Sequence, residues 1–183
     1  MITHLTFDEL QNGLPYILAS PQDHGTLEAI VIRPATDERV SLDECALSPE
    51  LGVHGDNWAK GCWKSLPDGR PHPNVQVAIM NSCTIALLAQ DKDRWPLAGD
   101  NLYMDLDISD DNMPPGQRLA IGSVILEITA EAHNGCKKFS ARFGSDAVKF
   151  VNSDEGKRLG LRGIYARIVQ AGVLHVGDSV DKV

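Results

Sequence analysis

Apolar and polar residues alternate over several short stretches of the chain, and each such stretch predicts a half-buried strand. The cleanest runs from Leu102 to Ile108, with apolar residues at 102, 104, 106 and 108. Leu27 to Ile32 reads as a strand stopped by Pro34, and Val40 to Leu47 and Val75 to Met80 read as two more. Arg118–Ile121 and Val124–Ala130 flank Gly122-Ser123, a two-residue hairpin connection. Gly163–Gln170 and Val173–Val176 predict a final hairpin across Ala171-Gly172. Helical spacing is rarer. Phe7, Leu10 and Leu14 predict a short helix ended by Gly13 and Pro15. Ser82 is placed as the cap of a helix through Gln90, with Ile85 and Leu88 facing inward. Phe143, Ala147, Phe150 and Val151 share one side of a helix predicted over Ser140–Val151, despite Gly144, and Asp154–Leu159 predicts a short helix with Gly160 beyond its end. Between Pro49 and Pro73 neither period is present, which predicts a long functional or covering loop.

Short strands, frequent turns and few short helices predict a mostly β, barrel-like single domain. The length of 183 residues fits one domain, with residues 1–26 as a flanking segment and 27–183 as the domain proper. An apolar share of 43% excludes a disordered chain, and no run approaches the roughly 18–20 apolar residues of a membrane span. The sequence contains neither G-x-G-x-x-G nor a P-loop. Residues 1–8 carry no secretory signal pattern, so reduced cysteines in the cytoplasm are the expectation.

Charge adds a local feature. The formal net charge is −8, yet residues 136–167 carry eight Lys/Arg against three acids, a local +5. This balance argues against nucleic acid as a partner. It suits a small anionic ligand, or else it is an ordinary solvated face.

Cys136 is the foremost candidate for chemistry. It follows the turn signal Asn134-Gly135 and precedes Lys137, Lys138 and Arg142. A thiol at a strand end beside cations holds more thiolate, the form that attacks sulfur and binds soft metals. An exposed but inert cysteine is the plain alternative. Cys45, Cys62 and Cys83 have weaker surroundings. His54, Cys62, His133 and Cys136 suggest a zinc set without a tight second pair, and His133 or His54 is also a candidate base for a cysteine nucleophile. Asp56, within Gly52-Val53-His54-Gly55-Asp56, is placed to orient a ligand, and Asn101 opens a strand with both donor and acceptor. Arg162, between Gly160-Leu161 and Gly163, presents a fork for an oxyanion, or is a surface arginine.

Taken in order, these pieces resemble the MOSC domain, found at the C-terminus of molybdenum-cofactor sulfurases and as small stand-alone proteins. The matching residues are Ile32-Arg33-Pro34, Gly52-Val53-His54-Gly55-Asp56, Asp100-Asn101-Leu102, Gly116-Gln117-Arg118-Leu119-Ala120-Ile121-Gly122 and Leu126-Glu127-Ile128-Thr129. They continue with Gly135-Cys136-Lys137-Lys138-Phe139, Arg162-Gly163-Ile164-Tyr165-Ala166-Arg167 and Val176-Gly177-Asp178. The resemblance covers roughly residues 27–180 and implies a distorted closed β-barrel with a few short helices. It further implies molybdenum cofactor (molybdopterin), with Cys136 as persulfide carrier or molybdenum ligand. Arg33, Asn101, Arg142 and Arg162 are then candidates for the pterin's anionic end and nearby oxygens, with Asp56 orienting pocket groups. The approach to the cysteine departs from the family, where many members have a proline. The resemblance implies pyridoxal phosphate only on a desulfurase partner, and an electron-transfer partner if the chemistry is redox. Three functions stay open: sulfur or cofactor carriage, molybdenum-dependent reduction of N-hydroxylated compounds, and non-catalytic binding of a small anion.

Overall fold

The computed structural model describes residues 3–183. In chain order its strands are β1 (Gly25–Ile32), β2 (Val40–Leu42), β3 (Glu44–Ser48), β4 (Gly52–Val53), β5 (Val77–Asn81) and β6 (Leu102–Asp105). They continue as β7 (Arg118–Ile121), β8 (Val124–Ile128), β9 (Ile164–Gln170), β10 (Gly172–His175) and β11 (Ser179–Lys182). The helices are α1 (Phe7–Asn12), α2 (Leu14–Leu18), α3 (Ser82–Ala89), α4 (Lys137–Phe143), α5 (Ser145–Asn152) and α6 (Asp154–Arg158).

Seven strands close a mixed barrel in the order β11-β7-β8-β9-β5-β6-β1, and β11 pairs back onto β1 at Gly25↔Val180 and Thr26↔Ser179. Every neighbouring pair in the ring is antiparallel except β5–β6, which is parallel. β2 extends the sheet from β1, and β10-β3-β4 form a small second sheet. Closure leaves few free edges, which limits unwanted strand pairing.

The two-residue period of each strand sorts its side chains between two cores. Ile30, Ile79, Leu102 and Met104 point into the barrel with Leu27, Leu126 and Ala166. Val31, Met80 and Tyr103 point outward and are covered by the helices, through Leu10, Ile85, Phe139, Phe143 and Phe150. Strand and helix take about equal shares of the chain. Among the described residues, no helix is long and apolar enough to cross a membrane.

Several local expectations need correction. The stretch Val40–Leu47 divides at Asp43 into β2 and β3, which enter different sheets. The final hairpin does not form: β9 pairs with β8 and β5, whereas β10 turns away to pair with β3. The helix expected over Ser140–Val151 starts earlier, at Lys137, and breaks at Gly144. There φ is +94° and the ring of His4 stands 2.9 Å from where a Cβ would lie. Asn81, not Ser82, caps α3, its side chain accepting from the Thr84 N–H at 2.8 Å. Gly13 does end α1, but Pro15 sits in the first turn of α2, where its missing N–H costs nothing. The long loop holds β4, a 3-10 turn at Trp58–Lys60 and a bridge between Ser65 and Pro71. The 3-10 helix Lys92–Ala98 and the closing strand β11 were not anticipated by periodicity.

Candidate functional site

Cys136 stands at the N-cap position of α4, solvent-exposed, on the coil that links β8 to the helix. Asn152 at the end of α5 clasps the preceding residue. Its side chain accepts from the Gly135 N–H at 2.8 Å and donates to the Gly135 carbonyl at 3.0 Å. Partial burial pushes the Cys136 thiol up, but the Phe139 and Lys138 amides and the charge of Arg162 outweigh it, and its pKa lies below the ordinary thiol value.

Arg162 is buried, its side chain 8% exposed. Its Nη1 meets both oxygens of the fully buried Asp100 at 3.0 and 2.8 Å, and its guanidinium lies 4.7 Å from the Phe139 ring centroid. Burial pushes the Asp100 carboxyl up, against the pull of Arg162. A second pair stands beside this one. Arg33 donates to Asp56 from Nε at 2.9 Å and from Nη2 at 2.8 Å. Asn101, fully buried, links Asp56 at 3.2 Å to the Val31 carbonyl at 3.2 Å and the Ala78 N–H at 3.1 Å.

One turn gathers these guanidinium groups. At the end of the 3-10 helix, three successive carbonyls each accept from a different arginine. Leu97 takes Arg142 Nη1 at 2.7 Å, Ala98 takes Arg162 Nη2 at 3.1 Å, and Gly99 takes Arg33 Nη1 at 3.1 Å. A fourth, Arg39, brings Nη2 to 3.6 Å from where a Cβ on Gly99 would stand. Exposed carbonyls at a helix end carry partial negative charge and attract cations. The expected residues Arg33, Asp56, Asn101, Arg142 and Arg162 therefore converge around this turn, although Arg33, Asp56 and Asn101 chiefly satisfy one another.

His133 lies three residues before Cys136, with its side chain buried. Its ring stacks on Tyr165 at 4.3 Å, and its Nδ1 is 3.5 Å from Asp100 Oδ1. Among the described residues, neither that nitrogen nor Arg162 Nε has a hydrogen-bond partner. Both residues border a cavity of about 240 Å³ that Met113, Asn134, Lys157 and Gly163 also line. Burial, with Arg162 and Arg33 nearby, holds the His133 pKa well below its ordinary 6.5. The folded state therefore refuses a proton that the unfolded chain accepts, and stability falls as pH drops below 6.5. As pH falls from 6.5 towards 5 the wild type is expected to lose more stability than His133→Gln. Urea unfolding of both proteins across that range measures it, and parallel pH curves would refute it.

The zinc arrangement is not supported. Among the described residues, the three side chains close enough to share an ion are Asp23, His24 and Asp181, far along the chain from Cys136. Arg39 gave no signal in the sequence, because Thr36-Asp37-Glu38-Arg39 reads as a solvated turn and only the fold brings it to Gly99. Tyr165 was visible only as part of its motif.

Comparison with known proteins bears on the fold and the family. The MOSC domain family model matches residues 54–181. No curated protein matches the sequence significantly. Among solved structures, YuaD from Bacillus subtilis aligns with a TM-score of 0.60 and 17% identity, over 86% of this chain and 94% of that one. YiiM from Escherichia coli aligns with a TM-score of 0.56 and 15% identity, over 86% and 69%. YiiM from Geobacillus stearothermophilus gives 0.57 and 14%, over 87% and 75%.

Proposed function

The chain belongs to the MOSC domain family, a family of molybdenum-cofactor-binding domains, and on that premise we propose that it handles the molybdenum cofactor through the thiolate of Cys136. The observation that carries this reading is the exposed Cys136 sulfur at the head of α4, favoured as thiolate by two backbone amides and by Arg162. A soft thiolate suits molybdenum or a transferable sulfur.

The rest of the site fits the cofactor's chemistry. Arg162 and His133 line the cavity, and among the described residues Arg162 Nε and His133 Nδ1 are buried without hydrogen-bond partners, so the cavity wall is rich in nitrogen. Arginines crowd the Leu97–Gly99 turn, where the cofactor's anionic end is attracted. When bound, the cofactor supplies a redox-active metal on a phosphate-bearing pterin. Cys136 holds the metal or carries sulfur as a persulfide. Asn152 fixes the backbone before Cys136, Asp100 holds Arg162 in place, and Asp56 and Asn101 hold Arg33. In the sulfur-carrying form, a separate cysteine desulfurase delivers the sulfur.

The test is molybdenum and pterin content after purification from a host that makes the cofactor, for wild type and Cys136→Ala. Near-equimolar metal in wild type, lost in a variant of unchanged thermal stability, is the expected result for a metal ligand. Metal-free wild type with persulfide on Cys136 is the result for sulfur carriage. Equal metal in both proteins, or neither metal nor persulfide in wild type, removes Cys136 from the function.

A further inference from the structure

We propose that the cavity between the β8–α4 coil and the segment from α6 to β9 binds a small, uncharged, mostly apolar molecule that donates one N–H or O–H to His133 Nε2. This site is separate from the cofactor's and does not rest on the cofactor reading.

Size is the first restriction. An apolar cavity of about 150 Å³ holds benzene. At about 240 Å³ this one has room for two fused rings, and a phosphate-bearing pterin with its metal is larger. Of Cys136 and the four arginines at the Leu97–Gly99 turn, only Arg162 lines the cavity. The occupant that fits is a second, smaller molecule.

Charge is the second restriction. Of the charged side chains in the lining, Glu131 is paired with Lys64 and Arg162 with Asp100. Asp110 and Lys157 remain, one of each sign and both exposed. The lining therefore has no excess charge to offset the desolvation of an entering ion. Much of the rest is hydrocarbon, from Met113, Ile128, Val151 and Ile164. A mostly apolar pocket with few polar groups suits a small organic molecule.

His133 supplies the polar contact. Tyr165 covers one face of its ring at 4.3 Å, and its sealed Nδ1 lies 3.5 Å from Asp100 Oδ1. A carboxylate accepts, so the ring's proton sits on Nδ1 and Nε2 is left as an acceptor. The side chain is 9% exposed, and with Nδ1 sealed that exposure lies on the rest of the ring, in the cavity wall. Burial, with Arg162 and Arg33 nearby, keeps the imidazole neutral and its lone pair free. A ligand with a donor satisfies Nε2, whereas one without leaves it unpaired.

The test is titration of the protein with indole, followed by the amide NMR shifts of Gly156, Gly160 and Gly163, which line the cavity. Wild type is expected to show saturable shifts at these amides. Benzothiophene, of nearly the same shape but with no N–H, should bind at least about fivefold more weakly, the size of one hydrogen bond. His133→Phe keeps a ring against Tyr165 and should lower indole to the affinity of benzothiophene. Ala132→Trp, at an exposed lining position, should weaken both ligands by filling the space, and it serves alone if His133→Phe misfolds. Protein from hosts that do and do not make the molybdenum cofactor should bind indole alike, so failure of the cofactor reading leaves the result standing. The proposal is overturned by the absence of saturable shifts in wild type, by equal affinity for the two ligands, or by binding that needs the cofactor. Indole affinity unchanged in either folded variant overturns it too.

Discussion

Asp56→Ala is expected to destabilise the fold by about 3–5 kcal/mol, the cost of removing one partner from a buried ion pair. Its carboxylate is fully enclosed and accepts from five donors. These are Arg33 N, Nε and Nη2, the Trp58 N–H and Asn101 Nδ2, at 2.7 to 3.3 Å. Alanine leaves two backbone N–H groups without their acceptor and the Arg33 charge without a counterion. The Arg33 side chain is 24% exposed, so water recovers part of the loss and the lower half of the range is the better guide. Combining Asp56→Ala with Arg33→Met should restore part of the stability, since no unpaired charge then remains. Denaturant unfolding of the two single variants and the double variant measures the coupling. A single-variant cost below about 1 kcal/mol would show that the pair is not what fixes the Gly52–Asp56 segment to β1.

Gly163→Ala is expected to cost about 3–5 kcal/mol, summing an unfavourable backbone angle and an overpacked contact. At this position φ is +109°, and a Cβ would lie 2.4 Å from the Ile79 carbonyl, a β5 backbone atom that cannot swing away. The same Cβ would stand 3.2 Å from His133 Nδ1 and 3.3 Å from Asp100 Oδ1. Relief by shifting those two side chains loosens Asp100 from Arg162, which the Ala98 carbonyl still holds, and leaves the guanidinium charge near Cys136 less neutralised. The variant should therefore both melt lower and alkylate Cys136 with a midpoint at lower pH than wild type. A melting temperature within about 2 °C of wild type would refute the clash. Lowered stability with an unshifted alkylation midpoint would cut the link from Gly163 to the thiol.

The barrel was legible because its strands keep one face in the core and so alternate, as β6 and the β7–β8 hairpin do. What alternation does not carry is partnership. Ala171-Gly172 has the residues of a hairpin turn, yet β10 goes to β3, because tertiary packing and not the turn selects the partner. β11 was missed because Ser179-Val180-Asp181-Lys182 offers one apolar residue, Val180, and its pairing to β7 and β1 is mainly backbone. At the candidate site, Cys136, Arg33, Asp56, Asn101, Arg142 and Arg162 were singled out from motifs; the last five lie around one turn, and Cys136 stands at the head of α4, within reach of the Arg162 charge. Their partners were not visible: Asp100 stood inside a motif without a role, and Arg39 looked like part of a solvated loop. Ion pairing of residues far apart in the chain leaves no local periodicity to read.

The pairing of Gly25 with Val180 has a kinetic consequence. The barrel is sealed by a contact between segments near opposite ends of the sequence, and such contacts form late and slowly because loop closure precedes the gain from pairing. Arg33 sits one residue beyond β1, while Arg162 sits two residues before β9, so their guanidinium groups meet only when β1 and β9 are brought together. β1 reaches β9 through β6 and β5, so a chain in which that part of the sheet is unformed lacks the arginine cluster at the Leu97–Gly99 turn, whether or not β11 has sealed the ring. A ligand that needs both guanidinium groups should leave the folding rate unchanged and slow only unfolding.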